Sequence, residues 1–258
     1  MQSTVSVALL PQLLPGDWAR PGAIAVVIDT LRFTSTACVA LSAGASAITV
    51  VSDIERAKQL AADSRGGSRL CGERACVRIA GFDFGNSPAE YTPSSVAGHE
   101  LIFSTTNGTV AVEAALPADE ILLASLLNRG AVCEWLDRAA RTAAPRNECP
   151  TVWCICAGTD GQVALEDVLT SGAIIERLCQ AGHDWQLGND ASLLALDAWK
   201  SVAASPANAA IVERLHDAIG GRNLVEAGFA EDLVAVAQLD SLTAVPRQSA
   251  PRRFECQH

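Results

Sequence analysis

The sequence predicts an α/β fold built as three layers, α/β/α, around a mainly parallel or mixed sheet. Four times along the chain, a short apolar run is followed by a polar turn and then by an alanine-rich helical pattern. Strands that alternate with helices form a mainly parallel sheet with helices on both faces. The chain has 258 residues, of which 49% are hydrophobic and 19% charged. It can therefore bury a substantial core, and we expect one domain over residues 1–258.

The first unit begins with the run AIAVVI, residues 23–28, which is typical of a buried strand. It ends in the polar cluster DTLRFTST and continues into ACVALSAG, which ends at Gly44 as helices do. A second strand over 47–51 precedes a helix that Asp53 is expected to cap. Residues 66–98 have no regular period and many turn-forming residues, so we expect an irregular excursion there: a strand pair plus a loop, or a small subdomain. Such segments are usually functional.

The third unit, ELIFS followed by TTNGT, admits two interpretations. An Asn-Gly pair between apolar runs, here Asn107 and Gly108, is the strongest short signal for a hairpin. The residues that follow, VAVEAAL, are rich in alanine and lack sustained alternation, so we favour a strand followed by a helix. In that case Gly108 lets the backbone approach a ligand, and N–H groups at the helix start can bind an anion.

Two further units complete the pattern: EILLAS with LLNRG, and TVWCICA with GTDG. Cys154 and Cys156 share one face of the last strand, and we expect them to pack in the core. Residues 187–221 have a helical pattern with a break at Pro206. Residues 221–240 are interpreted as one further helix, and residues 244–258 as a tail.

The charge balance and the cysteines exclude several classes of protein. There are 19 basic against 29 acidic residues, a net charge of −10, which argues against a nucleic-acid partner. No apolar stretch reaches the roughly 18 residues that span a bilayer, and the N-terminus is a poor signal peptide. We therefore expect a cytoplasmic protein without a membrane partner. Nine cysteines without a Cys-x-x-Cys pair fit reduced thiols. The oligomeric state stays open, a homo-oligomer included.

The polar turns are the expected place for a ligand. In open α/β sheets, ligands bind beyond the carboxyl ends of the strands. The turns predict a group of neighbours there: Asp29, Arg32, Thr105, Thr106, Asn107, Asn128 and Asp160. The stretch GFDFGNSPAEYT, residues 81–92, has two interpretations. It is either an ordinary surface loop of turn formers or a segment whose polar side chains converge on a ligand: Asp83, Asn86, Ser87 and Glu90.

Carboxylates are the candidate catalytic and metal-binding groups. Asp29 is the strongest, because it directly follows the run AIAVVI. Magnesium prefers oxygen ligands and typically uses one or two carboxylates together with phosphate oxygens of the substrate. Two arginines lie next to such acids: Arg32 three residues after Asp29, and Arg74 directly after Glu73. Each either binds a phosphate, sulfonate or carboxylate with its planar fork or only neutralises a neighbouring acid.

Five strings of the chain together resemble the 2-phosphosulfolactate phosphatases of coenzyme M biosynthesis: VVIDTLRFTST, GERACVRIAGFDFGNSPAEYT, TTNGT, LLNRGAV and CAGTDGQVALEDVLTSGAII. The resemblance spans nearly the whole chain and weakens before residue 20 and after residue 246. It implies a three-layer α/β fold and a magnesium-dependent hydrolase that releases phosphate and 3-sulfolactate from 2-phospho-3-sulfolactate. Members of the family have small glycines after Gly-Glu-Arg, where this chain has Ala75 and Cys76. The shape of this loop therefore depends on whether it needs the backbone freedom of glycine.

The resemblance leads to expected roles for individual residues. The catalytic acids are expected to be Asp29, Glu73, Asp83 and Asp167, and the magnesium ligands Asp29, Glu73, Asp83 and Glu166. The substrate-binding residues are expected to be Arg32, Arg74, Asn86, Ser87, Thr105, Thr106, Asn107, Gly108, Thr109 and Asn128. We favour attack by water over attack by Asp29, because the second acid expected two residues after a nucleophilic aspartate is replaced by Leu31.

Two alternatives to this function remain at the level of sequence. The first is the same phosphatase chemistry on a different 2-phospho hydroxy acid. The second is a small-anion binding protein without catalysis, although such a protein would gain by losing the acids near its anion site.

Overall fold

The computed structural model describes residues 2–64, 67–143, 149–203 and 208–256, and over these ranges the chain forms a three-layer α/β/α fold. The predicted fold class is confirmed. Eleven strands form one mixed sheet: β1 (Ser3–Ala8), β2 (Ala23–Ile28), β3 (Ala47–Val50), β4 (Ser68–Arg74), β5 (Val77–Arg78), β6 (Glu100–Ser104), β7 (Glu120–Ala124), β8 (Thr151–Cys156), β9 (Trp185–Leu187), β10 (Pro246–Ala250) and β11 (Arg253–Cys256).

Ten helices are found in the same ranges: α1 (Phe33–Ser42), α2 (Ile54–Asp63), α3 (Pro93–Val96), α4 (Gly108–Ala115), α5 (Arg129–Ala143), α6 (Leu165–Gln180), α7 (Asp190–Ala203), α8 (Asn208–Asp217), α9 (Ile219–Glu226) and α10 (Ala230–Val236). Asp53 caps α2 as predicted, its side chain accepting a hydrogen bond of 2.6 Å from the N–H of Arg56. None of the described helices combines the length and the apolar character that a bilayer span requires.

The strands lie in the order β5-β4-β6-β3-β11-β10-β7-β2-β8-β1-β9. Strand β2 pairs in parallel with β7 and with β8 and is buried along its whole length, because helices cover both of its faces. Alternate residues enter different cores: Ala25 and Val27 face one layer, and Val26 faces the other. Cys154 and Cys156 of β8 are buried together in the second core, as predicted.

Helices α1 and α4 cover one face of the sheet, where α1 packs on β3 and β7 and α4 on β2 and β8. Helix α2 covers β4 and β6 on the opposite face, where α5, α6 and α7 cover the strands around β2. One core cluster joins residues of β2, β7 and β8 with residues of β3, β6 and β11 around α1 and α4. Helices α1 and α4 therefore share one core with strands from both halves of the sheet.

The interpretation of residues 244–258 as a tail is wrong for the described part, which forms the hairpin β10–β11 in the middle of the sheet. This hairpin joins β7 to β3 through antiparallel pairing. Each of its arginines pairs with a glutamate of another element: Arg247 with Glu120 of β7, Arg252 with Glu113 of α4 and Arg253 with Glu100 of β6. The partners are distant in sequence, so local periodicity could not indicate them.

Three other segments test predictions made from the sequence. TTNGT connects β6 to α4, so the strand-to-helix interpretation is confirmed. The single helix predicted over 221–240 is wrong: α9 and α10 are separated at Gly228, whose φ of 86° suits glycine. In the excursion 66–98, β4 joins the main sheet beside β6 and pairs with β5 in the expected strand pair. Pro206 lies outside the described residues.

Candidate active site

A pocket of about 180 Å³ opens at the carboxyl ends of the strands, where the sequence predicts the ligand. Six of the predicted site residues line it: Asp29, Arg32, Glu73, Asn86, Thr106 and Asn107. Asp160, also predicted as a neighbour from its turn, lines the pocket together with Thr159 of the same loop, and α9 adds one wall. Segments from five places in the sequence, together with α9, therefore meet in one cavity.

Asp29 follows the last residue of β2 and is 7% exposed. Its Oδ1 accepts a hydrogen bond of 3.2 Å from the N–H of Phe33, and its Oδ2 lies beside Gly108, where a Cβ would come within 2.6 Å. Burial, and then the nearby charges of Glu73 and Glu166, raise the pKa of Asp29 to about 7, although the Phe33 N–H opposes this shift. A carboxyl group that titrates near neutral pH is suited to proton transfer.

Glu73, near the end of β4, is held by two backbone N–H groups of the pocket wall. Oε1 accepts from Thr106 at 2.9 Å, and Oε2 accepts from Cys76 at 3.0 Å. The turn that carries Cys76 has a left-handed backbone, with φ of 49° at Ala75 and 65° at Cys76. These are conformations that glycine adopts more easily than other residues. The two substitutions therefore place side chains at positions whose backbone favours glycine.

Glu166 and Asp167 begin α6 and are both buried. Asp167 joins two turns, because Oδ1 accepts from the N–H of Thr30 at 2.8 Å and Oδ2 from the N–H of Gly158 at 3.0 Å. Burial, and then the charges of Glu166 and Asp29, raise the pKa of Asp167, and burial raises the pKa of Glu166. Asp29 therefore belongs to a group of buried acids at the base of the pocket.

The two predicted anion clamps have different positions. Arg32 is buried and lines the pocket, with Nη1 donating to Asp232 at 2.7 Å and Nη2 to the carbonyl of Cys76 at 2.8 Å. Arg74 points away from the pocket and donates to three carbonyl groups and one hydroxyl, contributed by Glu73, Ser52 and Ser104. The structure brings Arg32, but not Arg74, to the pocket.

Some residues of the stretch 81–92 lie against the pocket, and others stabilise the stretch itself. Asn86 is buried against the pocket, and the hydroxyl of Ser87 donates to Asp232 at 2.6 Å. Glu90 accepts from the N–H groups of Gly85 and Ser87 and thereby fixes the turn. Asp83 is exposed, and its Oδ2 accepts from the N–H of Leu70, which places it apart from the other predicted acids.

The TTNGT turn approaches the pocket through its backbone. Thr105 and Thr109 are buried and hydrogen-bonded to each other, with their hydroxyl oxygens 3.2 Å apart. Asn107 lines the pocket, and its Oδ1 accepts from the N–H of Asp160 at 3.3 Å. Gly108 begins α4 directly beside Asp29, so the N-terminus of this helix faces the acid group.

Asn128 lies outside this pocket in a supporting position. It follows β7 and is fully buried, with Oδ1 accepting from Ser125 and Nδ2 donating to the carbonyls of Leu123 and Ala244. Its amide joins the end of β7 to the segment before the C-terminal hairpin.

Sequence reasoning missed the contribution of the C-terminal helices. Gly220 and Asn223 of α9 line the pocket. A Cβ at Gly220 would lie 2.2 Å from Glu166 Oε1, so the absence of a side chain lets α9 approach Glu166 this closely. Asp232 of α10 binds Arg32. In sequence, Asp232 looks like an ordinary acid of a first helical turn, and no local pattern distinguishes it.

The acid group offers oxygen donors to a metal ion. Within the described ranges, no group of three or more His, Cys, Asp and Glu side chains is arranged to hold a metal. However, Glu166 Oε2 and Asn86 Oδ1 are buried oxygen atoms without a hydrogen-bond partner, which is unusual for buried acceptors. Magnesium uses few protein ligands and keeps several waters. The donor chemistry therefore fits magnesium completed by water and substrate oxygens.

Comparison with known proteins agrees with the fold and the motifs. A family model described as 2-phosphosulpholactate phosphatase matches residues 8–251. A probable 2-phosphosulfolactate phosphatase of Symbiobacterium thermophilum is 40% identical over 227 residues, 87% of this chain and 91% of the relative. Proteins of the same description from Thermosynechococcus vestitus and Gloeobacter violaceus are 35% and 36% identical, covering 94% and 95% of this chain and 95% of each relative.

Proposed function

The chain belongs to the 2-phosphosulfolactate phosphatase family, and we propose that it is a magnesium-dependent phosphatase that hydrolyses 2-phospho-3-sulfolactate to 3-sulfolactate and phosphate. The observation that carries this proposal is the pocket in which Asp29, Glu73 and Arg32 meet. Buried acids beside one buried arginine supply both a proton acceptor and an anion clamp.

Two buried oxygens without a partner are candidate magnesium donors: Asn86 Oδ1, whose residue lines the pocket, and Glu166 Oε2, whose residue lies behind Gly220 of the pocket wall. Glu73, which lines the same pocket, is a third donor. When bound, the ion would neutralise charge on the phosphoryl oxygens of the substrate. The predicted ligation by Asp83 is the least supported, since Asp83 is exposed and outside the pocket.

In the proposed mechanism, Asp29 accepts at Oδ2 a proton of the water that attacks phosphorus. The ester P–O bond breaks, and the leaving oxygen of 3-sulfolactate takes up a proton from solvent. Asp29 Oδ2 receives no hydrogen bond from any described residue, and its carboxyl has a pKa of about 7, so it can hold a proton at neutral pH. Arg32 keeps N–H groups free for an anionic oxygen of the substrate. Asp167, with both oxygens bonded to backbone N–H groups, holds the turns after β2 and β8 together.

The experiment measures phosphate release from 2-phospho-3-sulfolactate by the purified protein, with magnesium and with a chelator. Phospholactate, phosphoglycolate and the phosphoglycerates are assayed in parallel. We expect magnesium-dependent release with a clear preference for the sulfonated ester. Arg74→Lys is a matched control, because it retains the charge next to Glu73 and lies outside the pocket.

Each outcome separates one part of the proposal from the rest. Activity mainly on another ester would retain the chemistry and overturn the substrate. Release that persists in chelator would overturn the role of magnesium. Binding of the esters without release would favour the non-catalytic anion-binding alternative.

A further inference from the structure

Arg32 is fixed in the pocket by contacts on three sides. Its guanidinium lies 4.3 Å from the ring centre of Phe229, which precedes α10. Nη1 donates to Asp232 Oδ2, and Nη2 donates to the carbonyl of Cys76. The Arg32–Asp232 pair is almost completely buried, with 2% and 5% of the two side chains exposed. An arginine held in this way has little freedom to change its rotamer.

Asp232 uses its second oxygen to bind the stretch 81–92. Oδ1 accepts from the hydroxyl of Ser87 at 2.6 Å, while Oδ2 accepts from Arg32 at 2.7 Å. Helix α10 also packs against the short helical turn Pro88–Glu90 that follows Ser87. One carboxylate therefore joins the turn after β2, the stretch 81–92 and α10.

The contacts leave Arg32 able to bind a ligand. A guanidinium has five N–H donors, and the described protein acceptors use one on Nη1 and one on Nη2. The remaining donors belong to a side chain that lines the pocket. A planar fork with free N–H groups binds an anionic oxygen well when its orientation is set in advance.

We propose that Asp232 is a positioning residue that orients Arg32 toward the anionic substrate through the hydrogen bond to Nη1, with Ser87 holding the carboxylate in place. Helix α10 thereby takes part in the binding of the ester, although it lines none of the pocket. This inference rests on the proposed function for the identity of the ester. The orientation of Arg32 can also be tested through the binding of inorganic phosphate.

The test compares Asp232→Asn with Glu231→Gln. The control removes the same charge from the neighbouring residue of the same helix, and Glu231 is exposed. The readouts are the Kd of inorganic phosphate by calorimetry, KM and kcat for the ester, and the melting temperature. We expect Asp232→Asn to raise both Kd and KM by about tenfold or more, because a displaced arginine loses its alignment with the anion. Glu231→Gln should stay within about twofold of the wild type.

A double-mutant cycle with Arg32→Gln separates positioning from a structural role. If Asp232 acts through Arg32, Asp232→Asn should change Kd and KM by less than about twofold in the Arg32→Gln background. Equal losses in both backgrounds would overturn the proposal, as would a Kd and KM of Asp232→Asn that match the wild type. If Asp232→Asn does not fold, Ser87→Ala tests the proposal instead, because it keeps the Arg32–Asp232 ion pair. A rise in Kd and KM of about threefold is expected for it, and no rise would contradict the proposal.

The two proposals fail in different ways. A wild-type protein that binds phosphate but cleaves no ester would overturn the proposed function, while the phosphate Kd of the variants still tests Asp232. A wild-type protein that binds no phosphate would overturn both.

Discussion

The turn after β2 and the end of β4 each carry an acid and an arginine: Asp29 and Arg32 in the first, Glu73 and Arg74 in the second. In the first region both side chains enter the pocket. In the second, Glu73 lines the pocket, whereas Arg74 is bonded to carbonyl and hydroxyl groups on the other side. Two sequence pairs of the same composition therefore have different placements.

The difference comes from the backbone that carries each pair. Glu73 and Arg74 are consecutive residues of a strand, so their side chains point to opposite faces. Arg32 follows Asp29 by three residues in a turn, and α10 binds it from the far side through Asp232. Composition next to an acid does not decide which arginine reaches the pocket, but strand geometry does.

The first prediction concerns the two acids, which both line the pocket. Asp29→Asn should lower kcat by about 10² to 10⁴, because an amide cannot accept the proton of water. Glu73→Gln should cost less, since Glu73 is not the proton acceptor of the proposed mechanism and the amide oxygen can still accept one of its two backbone N–H bonds. The measurement is steady-state phosphate release with circular dichroism as the check on folding. Full activity of Asp29→Asn would place the chemistry elsewhere.

The second prediction compares the two arginines, Arg32 and Arg74. Arg32→Lys should raise KM by about tenfold or more, because lysine lacks the planar fork. Arg74→Lys should leave KM within about twofold and instead lower the free energy of unfolding by about 1 to 3 kcal/mol, since carbonyl groups lose their donors. Kinetics and urea unfolding of both variants check this. A kinetic defect in Arg74→Lys equal to that of Arg32→Lys would contradict the assignment.

The third prediction uses pH. Because the pKa of Asp29 is raised from 3.8 to about 7 in the folded protein, protonation stabilises the fold. This contribution is complete below pH 3.8, decreases as the pH rises and is lost above about 7. In a chelator, the wild type should therefore lose more stability between pH 5 and 8 than Asp29→Asn. Urea unfolding at both pH values measures the difference. An equal loss of unfolding free energy in the two proteins would contradict the raised pKa of Asp29.

The smallest effect is expected in the turn beyond Glu73. Ala75 has a φ of 49°, so Ala75→Gly should raise the free energy of unfolding by about 0.5 to 1 kcal/mol through relief of strain. Ala89→Gly is the control, because Ala89 is exposed and has no positive φ, and it should be neutral or destabilising. Thermal unfolding of both variants tests this. A loss of stability in Ala75→Gly would show that the turn is not strained there.

Part of this molecule could be predicted because the signals are local. The apolar run before Asp29, the alanine-rich segment after Gly108 and the cap at Asp53 each depend on residues a few positions apart. The hairpin β10–β11 could not be predicted in this way, since Arg253 finds its glutamate at position 100. Strand β1 was also missed, although it lies between β8 and β9.

The sequence by itself determined the three-layer fold class, the strand ends that carry the polar turns, and a family whose members share these motifs. Only the tertiary structure decided which polar residues meet. Strands β2 and β6 are separated in the sheet by four others, about 24 Å in a flat sheet, yet Gly108 lies beside Asp29. Helix α4 follows β6 but packs on β2 and β8, and its apolar residues share one buried core with Ala25 and Val27 of β2. Burial of this apolar surface, from segments far apart in sequence, brings Gly108 to Asp29.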